Sequence, residues 1–198
     1  MTGPAAVTLR IARPADASAT AALHAAGIAE GFLPKLGPRV LRLLHKRMTL
    51  DRSSFVLVAP SDRGIDGFVA GTTDVKMLYK SFLRRDGIVA AVLAAPRAPK
   101  LWRGALETLR YSGRADAKLP RAELLAIAVD GGARGRGLGR ALTLGLQDEL
   151  TRRGVTEAKV VVGADNAAAL ALYRSTGFRS VGVVDVHRGR RSEVLVWP

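Results

Sequence analysis

The chain has no cysteine among its 198 residues. Disulfides, thiolate metal sites and a cysteine nucleophile are therefore excluded. Its three histidines, His24, His45 and His187, stand apart with no second ligand at metal spacing, so no metal site is expected. Long apolar runs are also missing. The longest, Gly87 to Pro96, is far short of the ~20 residues that a spanning helix needs. No targeting segment is expected, because Arg10, Arg13 and Asp16 interrupt the alanine-rich start. Internal repeats and low-complexity linkers are absent. Acidic residues are few, 17 against 31 lysines and arginines, which leaves a net charge of +14. That excess favours an anionic partner without choosing among a phosphorylated cofactor, an acidic substrate, nucleic acid or an anionic membrane. The length suits one domain, residues 1–198, with a proper core. A cytoplasmic location is the expectation.

Apolar spacing supplies the elements. Val7 to Arg13 alternates and reads as a strand, and Pro14-Ala15-Asp16 opens a helix that Gly31 ends. Pro34 to Leu50 reads as a second helix. Ser54 to Pro60 and Gly67 to Val75 form a hairpin around Ser61 to Gly64. Glu123 to Val129 is a strand, followed by a helix that runs to about Arg153 and stops at Gly154. Thr156 to Gly163 is a strand. A short helix from Asn166 ends at Gly177, and Phe178 to His187 pairs with Arg191 to Trp197. This order is α/β (α+β), with a central mixed, mostly antiparallel sheet flanked by helices.

A glycine- and arginine-rich turn, Val129 to Arg140, joins the Glu123 strand to the helix carrying Leu138, Leu142, Leu146 and Leu150. Such a turn offers backbone N–H groups and the positive end of a helix dipole, while Arg134, Arg136 and Arg140 add full charge. A phosphate or pyrophosphate suits it. The turn lacks the Lys-Ser or Lys-Thr of a P-loop, since Gly139 is followed by Arg140-Ala141. It also lacks the third glycine of a dinucleotide fingerprint. The spacing that remains is Arg134-x-x-Gly137-x-Gly139.

This spacing resembles the pyrophosphate-binding turn of the GNAT superfamily of acetyl-CoA-dependent N-acetyltransferases. Downstream, Asn166 to Phe178 is similar to that family's second signature, N-x-x-A-x-x-L-Y-x-x-x-G-F, at every marked position. The resemblance covers roughly Val7 to Pro198. It implies a GNAT fold, acetyl-CoA as cosubstrate and transfer of an acetyl or small acyl group to a primary amine within a ternary complex. It further implies that Arg134, Gly135, Arg136, Gly137, Gly139 and Arg140 hold the pyrophosphate. Ile127 and Val129 would pair with the pantetheine arm, and Asn166 would border the cofactor. Tyr173, two turns beyond Asn166, would be the general acid for the departing thiolate. Its bland alternative is a core aromatic. Glu123 is the first candidate base, on a strand face that period-two alternation would share with Leu125, Ile127 and Val129. Its alternative is a carboxylate paired with Arg121 or another arginine. Glu30, before the Gly31-Phe32-Leu33 loop, is the second candidate base.

One segment departs from the family. Met77 to Arg121 inserts 45 residues with two helical patterns separated by Pro96 and Pro99, and it carries ten basic and three acidic side chains. It reads either as a wall for an anionic acceptor or a membrane patch, or as two amphipathic helices covering the sheet edge or forming a homodimer face. Trp102 and Tyr111 are candidate pocket residues within it. The acceptor is a small-molecule or protein amine; nucleic acid and a membrane surface are less favoured partners. The rival functional reading is a non-catalytic acyl-CoA-binding or basic nucleic-acid-binding module on the same fold.

Overall fold

The computed structural model describes residues 7–28, 35, 37–95, 119–187 and 190–198. Glu30, the Gly31 loop, Trp102, Tyr111 and the second helical pattern of the insertion lie outside them. The elements are β1 (Arg10–Ile11), α1 (Ala17–Gly27), α2 (Pro38–Leu50), β2 (Ser54–Ser61), β3 (Gly64–Thr72) and α3 (Val75–Ala94). Then come β4 (Glu123–Val129), α4 (Leu138–Arg152), β5 (Ala158–Gly163), α5 (Ala167–Ser175), β6 (Arg179–His187) and β7 (Arg190–Trp197). The sheet runs β1-β2-β3-β4-β5-β7-β6. Every neighbouring pair is antiparallel except β4 with β5, which is parallel. Among the described residues no helix is long and apolar enough to cross a membrane.

Several boundaries differ from the spacing argument, three of them for a local reason. The first strand shrinks to Arg10–Ile11 at the sheet edge, where it pairs only with Val58 and Leu57. α2 starts at Pro38, after Gly37 at φ 96°, a left-handed value that a β-carbon would oppose, and the expected start at Pro34 lies outside the described residues. β3 ends at Thr72 because Asp74 caps α3: its carboxylate accepts from the Lys76 and Met77 amides at 2.8 and 3.1 Å.

Two cores sandwich the sheet. On one face, Leu138, Leu142, Leu146 and Leu150 of α4 meet Phe55, Leu57, Val69, Leu124 and Val160, with Leu170 and Tyr173 of α5 and the adjoining Phe178. Gly71 lets α4 approach, since a β-carbon there would lie 2.9 Å from Leu146 and 2.8 Å from Phe55. Leu146 is fully buried. Leu146→Ala should therefore cost about 3 kcal/mol, read from the urea midpoint, with a loss under ~1 kcal/mol marking a site that collapses around the gap.

The other face packs Leu44, Met48, Val56, Val58, Phe68, Ala126 and Ala128 beneath α1, α2 and α3. Here the structure corrects the sequence reading, in which His24 and His45 are isolated. The Thr20 hydroxyl lies 3.2 Å from the Asp16 carbonyl and donates to it. His45 Nδ1 then donates to Thr20 at 2.9 Å, and His45 Nε2 accepts from His24 Nδ1 at 3.0 Å. Phe68 stacks on His24 and meets His45 edge-on. Burial lowers His24 to about 4, and burial together with its neighbour lowers His45 to about 3. Both rings are therefore neutral at pH 7. In the unfolded chain they titrate near the ordinary 6.5. Below that pH the unfolded state binds protons that the folded state refuses, so stability falls as pH drops toward 4. From pH 7 to pH 5 the loss should reach roughly 3–4 kcal/mol by urea unfolding, and a flat profile would show that the rings are not sealed.

The sheet opens at its centre. β4 and β5 pair only at Glu123 with Lys159 and at Leu124 with Val160. Beyond that, β4 keeps its β3 partner as far as Gly67 opposite Val129, while β5 turns to β7. The β5-facing edge of residues 125–129 is thus left without a strand partner. A bulge falls at the same place: Ala70 pairs with Ala126 and Gly71 with Leu124, so Leu125 has no partner on β3.

Candidate active site

The open split between β4 and β5 leads directly into the Val129 to Arg140 turn. Gly131–Ala133 makes a single 3-10 turn, closed by the Asp130 carboxylate on the Gly132 amide at 3.0 Å. Gly135 and Gly137 both take φ 76°, and a β-carbon at either would meet nothing within 4 Å. Their surroundings are open, so backbone conformation is what selects glycine there. Gly137 caps α4. Among the described residues, the six amides from Gly135 to Arg140 donate no hydrogen bond of good geometry; the first bond of the helix is Ala141 N–H to the Gly137 carbonyl at 3.0 Å. A run of N–H groups unpaired among the described residues, at the positive end of a 15-residue helix, is what an anion site requires.

The three arginines of the turn are exposed but not equivalent. Arg134 Nε donates to the Val129 carbonyl at 3.3 Å. Arg140 reaches α5, donating to the Ser175 carbonyl at 2.7 Å and its hydroxyl at 3.3 Å. With Gln147 Nε2 on the Thr176 carbonyl at 2.8 Å, this bond docks α5 on α4. Arg136 has no partner among the described residues.

α5 packs on the α4 face of the sheet, where Leu170 and Tyr173 join the core that Ile127 and Val129 also pack against. Asn166 is its N-cap, the side-chain oxygen accepting from the Ala169 amide at 3.1 Å, which leaves its NH2 without a partner among the described residues. Leu172 fits against Gly139, where a β-carbon would stand 3.4 Å away. Tyr173 is 4% exposed and packs on Phe178 with ring centroids 5.6 Å apart. Among the described residues its hydroxyl makes no hydrogen bond, yet it is not among the sealed polar atoms. Burial raises its pKa, so the phenol stays protonated at any physiological pH.

Glu123 sits where the split closes, and the bulge changes its side of the sheet. Ile127 and Val129 pack with the α4–α5 core, whereas Leu125, Ala126 and Ala128 pack with the other. Strict alternation across Leu125 fails. Glu123 therefore shares its face with Lys159, which alternates with Ala158 and Val160 of the α4–α5 core. Lys159 Nζ lies 3.3 Å from Glu123 Oε2. The expected arginine partner is a lysine instead, for Arg121 pairs with Asp74 at 3.9 Å. Burial raises the Glu123 pKa against the opposing pull of Lys159. Tyr79 of α3 stands close enough for the Glu123 charge to help raise its own pKa, after burial.

Sequence reasoning missed Lys159 and Tyr79. A lone charge inside Ala158–Gly163, an otherwise apolar strand, was the available signal for Lys159. Tyr79 carried none beyond its helical spacing.

Residues 51–178 match the model of the Acetyltransferase (GNAT) family. The chain belongs to that family. It is 49% identical over 61 residues to a mycothiol acetyltransferase of Beutenbergia cavernae, a match covering 31% of this chain and 20% of that protein. It is 49% identical over 65 residues to the [ribosomal protein bS18]-alanine N-acetyltransferase of Escherichia coli, covering 33% of this chain and 44% of the relative. The matches thus span less than half the length of these relatives. The fold is shared more widely. A GNAT superfamily phosphinothricin acetyltransferase from Sinorhizobium meliloti, solved with acetyl-CoA, superposes with a TM-score of 0.61 at 19% identity, over 96% of this chain and 87% of that one.

Proposed function

We propose that this chain is an N-acetyltransferase that moves an acetyl or small acyl group from acetyl-CoA to a primary amine. The observation that carries this reading is the continuity of the opened β4 edge with the six unpaired amides of Gly135 to Arg140, and of both with the Asn166–Tyr173 helix. The donor set fits the cosubstrate: amides and arginines for a pyrophosphate, and an unpaired strand edge for an arm of amide groups. When bound, acetyl-CoA supplies an activated thioester.

The chain's own residues then divide the work. Gly135, Gly137 and Gly139 let the backbone close on the pyrophosphate, with Arg134, Arg136 and Arg140 around it. Ile127 and Val129 offer backbone groups to the pantetheine, and an amide near Val129 polarises the thioester carbonyl. Asn166 borders the arm. Glu123 takes the ammonium proton of the acceptor, directly or through water. Tyr173 protonates the departing thiolate. α3, the described start of the basic insertion, borders the acceptor end in this reading, supported by Tyr79 standing near enough to Glu123 to feel its charge. The relatives named for a ribosomal-protein alanine and for mycothiol support an amine on either a protein or a small molecule as acceptor.

The test is thiol release from acetyl-CoA across an amine panel, with products identified by mass spectrometry. Acetylated amine is the expected result; failure to bind acetyl-CoA by calorimetry would overturn the reading. Changing Arg134, Arg136 and Arg140 together to Ala should raise the Kd for acetyl-CoA about 10–100-fold, and unchanged affinity would remove the turn from the donor site.

A further inference from the structure

Lys159 is a charged side chain in the wrong place for an ordinary strand residue. It is 3% exposed, on β5 between Ala158 and Val160, both core residues. Its Nζ is held at two points: it donates to the Pro120 carbonyl at 2.5 Å and lies 3.3 Å from Glu123 Oε2. Its own amide donates to the Ala122 carbonyl at 3.0 Å. These contacts fall at the only register positions where β4 and β5 meet. Lysine is seldom buried this deeply unless paired, and removing one member of such a pair leaves the other charge uncompensated.

We propose that Lys159 is a positioning residue for acyl transfer, its ammonium holding the Glu123 carboxylate in its charged form at the point where the split opens. This rests on the reading of Glu123 as the base. Glu123 is largely enclosed, and enclosure alone favours the neutral acid, which cannot accept the acceptor's proton. The other groups around it do not supply the missing charge. Tyr79 on α3 is a protonated phenol. Thr72, opposite on β3, gives its hydroxyl hydrogen to the Ser53 carbonyl at 2.7 Å. Arg121 precedes the strand but turns to Asp74, with its side chain 84% exposed. That leaves the β5 ammonium as the one buried cation beside the carboxylate among the described residues. Pro120 completes the device, since its carbonyl fixes the ammonium without neutralising it.

The test is the pH profile of kcat/KM. Lys159→Gln removes the charge and keeps an N–H donor, on a side chain one methylene shorter. The acid limb should move up by about one pH unit or more, while the KM for acetyl-CoA stays unchanged. Lys159→Arg should return the limb to its wild-type position. If Glu123→Gln abolishes the limb but Lys159→Gln leaves it in place, the proposal fails and the base assignment stands. If Glu123→Gln keeps full activity and the limb, the base assignment itself fails. Should Lys159→Gln not fold, the infrared difference between wild type and Glu123→Gln decides. A carboxylate band at pH 7 supports the proposal, and a protonated carboxyl band overturns it.

Discussion

Tyr173→Phe should lower kcat about 10²–10³-fold and leave the KM for acetyl-CoA within about a factor of two. The substitution removes one oxygen from a ring that is otherwise packed. Its body contacts Phe178 and the α4–α5 core, and these contacts survive in phenylalanine. Because the hydroxyl bonds to nothing among the described residues, its loss orphans no structural partner there. Stability should therefore change by less than about 1 kcal/mol, which separates a chemical role from a structural one. The raised pKa sharpens the case: the phenol is protonated throughout the working range and can donate, whereas a phenolate could not. Burst and steady-state measurements of CoA thiol release would test it. Full activity with every acceptor would reduce Tyr173 to a core aromatic.

The parts of this site that were legible in the sequence are those whose chemistry is local. Gly135 and Gly137 take left-handed φ values that glycine accommodates, Asn166 caps the helix it begins, and Leu142, Leu146 and Leu150 fall on one buried stripe. Each is decided by neighbours within a few residues. The unread parts depend on contacts between distant segments. His24 and His45 are 21 residues apart and meet only because α1 packs on α2. Lys159 and Glu123 are joined by a single parallel pairing. The face on which Glu123 lies was misread because alternation assumes an unbroken ladder, and the bulge at Leu125 inserts one residue that β3 does not match. That same bulge and the splay beyond it expose the β4 edge. The break in the ladder that defeated the periodicity argument thus falls where β4 also parts from β5, beside the proposed cosubstrate site.

Glu123→Gln should lower kcat/KM about 10²–10⁴-fold near neutral pH, with acetyl-CoA affinity retained. Glutamine keeps the shape and can still accept from Lys159, but it cannot take a proton. The defect should shrink as pH rises toward the pKa of the acceptor amine, because an amine that arrives already deprotonated does not need the base. Such pH rescue discriminates between roles. Had Glu123 only tied β4 to β5 through Lys159, the loss would be independent of pH and would track stability. Wild type should show the complementary acid limb. Burial raises the Glu123 pKa, so its protonation begins at a higher pH than for an exposed carboxylate, and activity is lost as pH falls through that raised value. Steady-state profiles of wild type and Glu123→Gln between pH 5 and pH 10, with one amine acceptor and saturating acetyl-CoA, would check both limbs. A variant that stays uniformly slow across that range would move the base elsewhere, with Glu30 the next residue to replace.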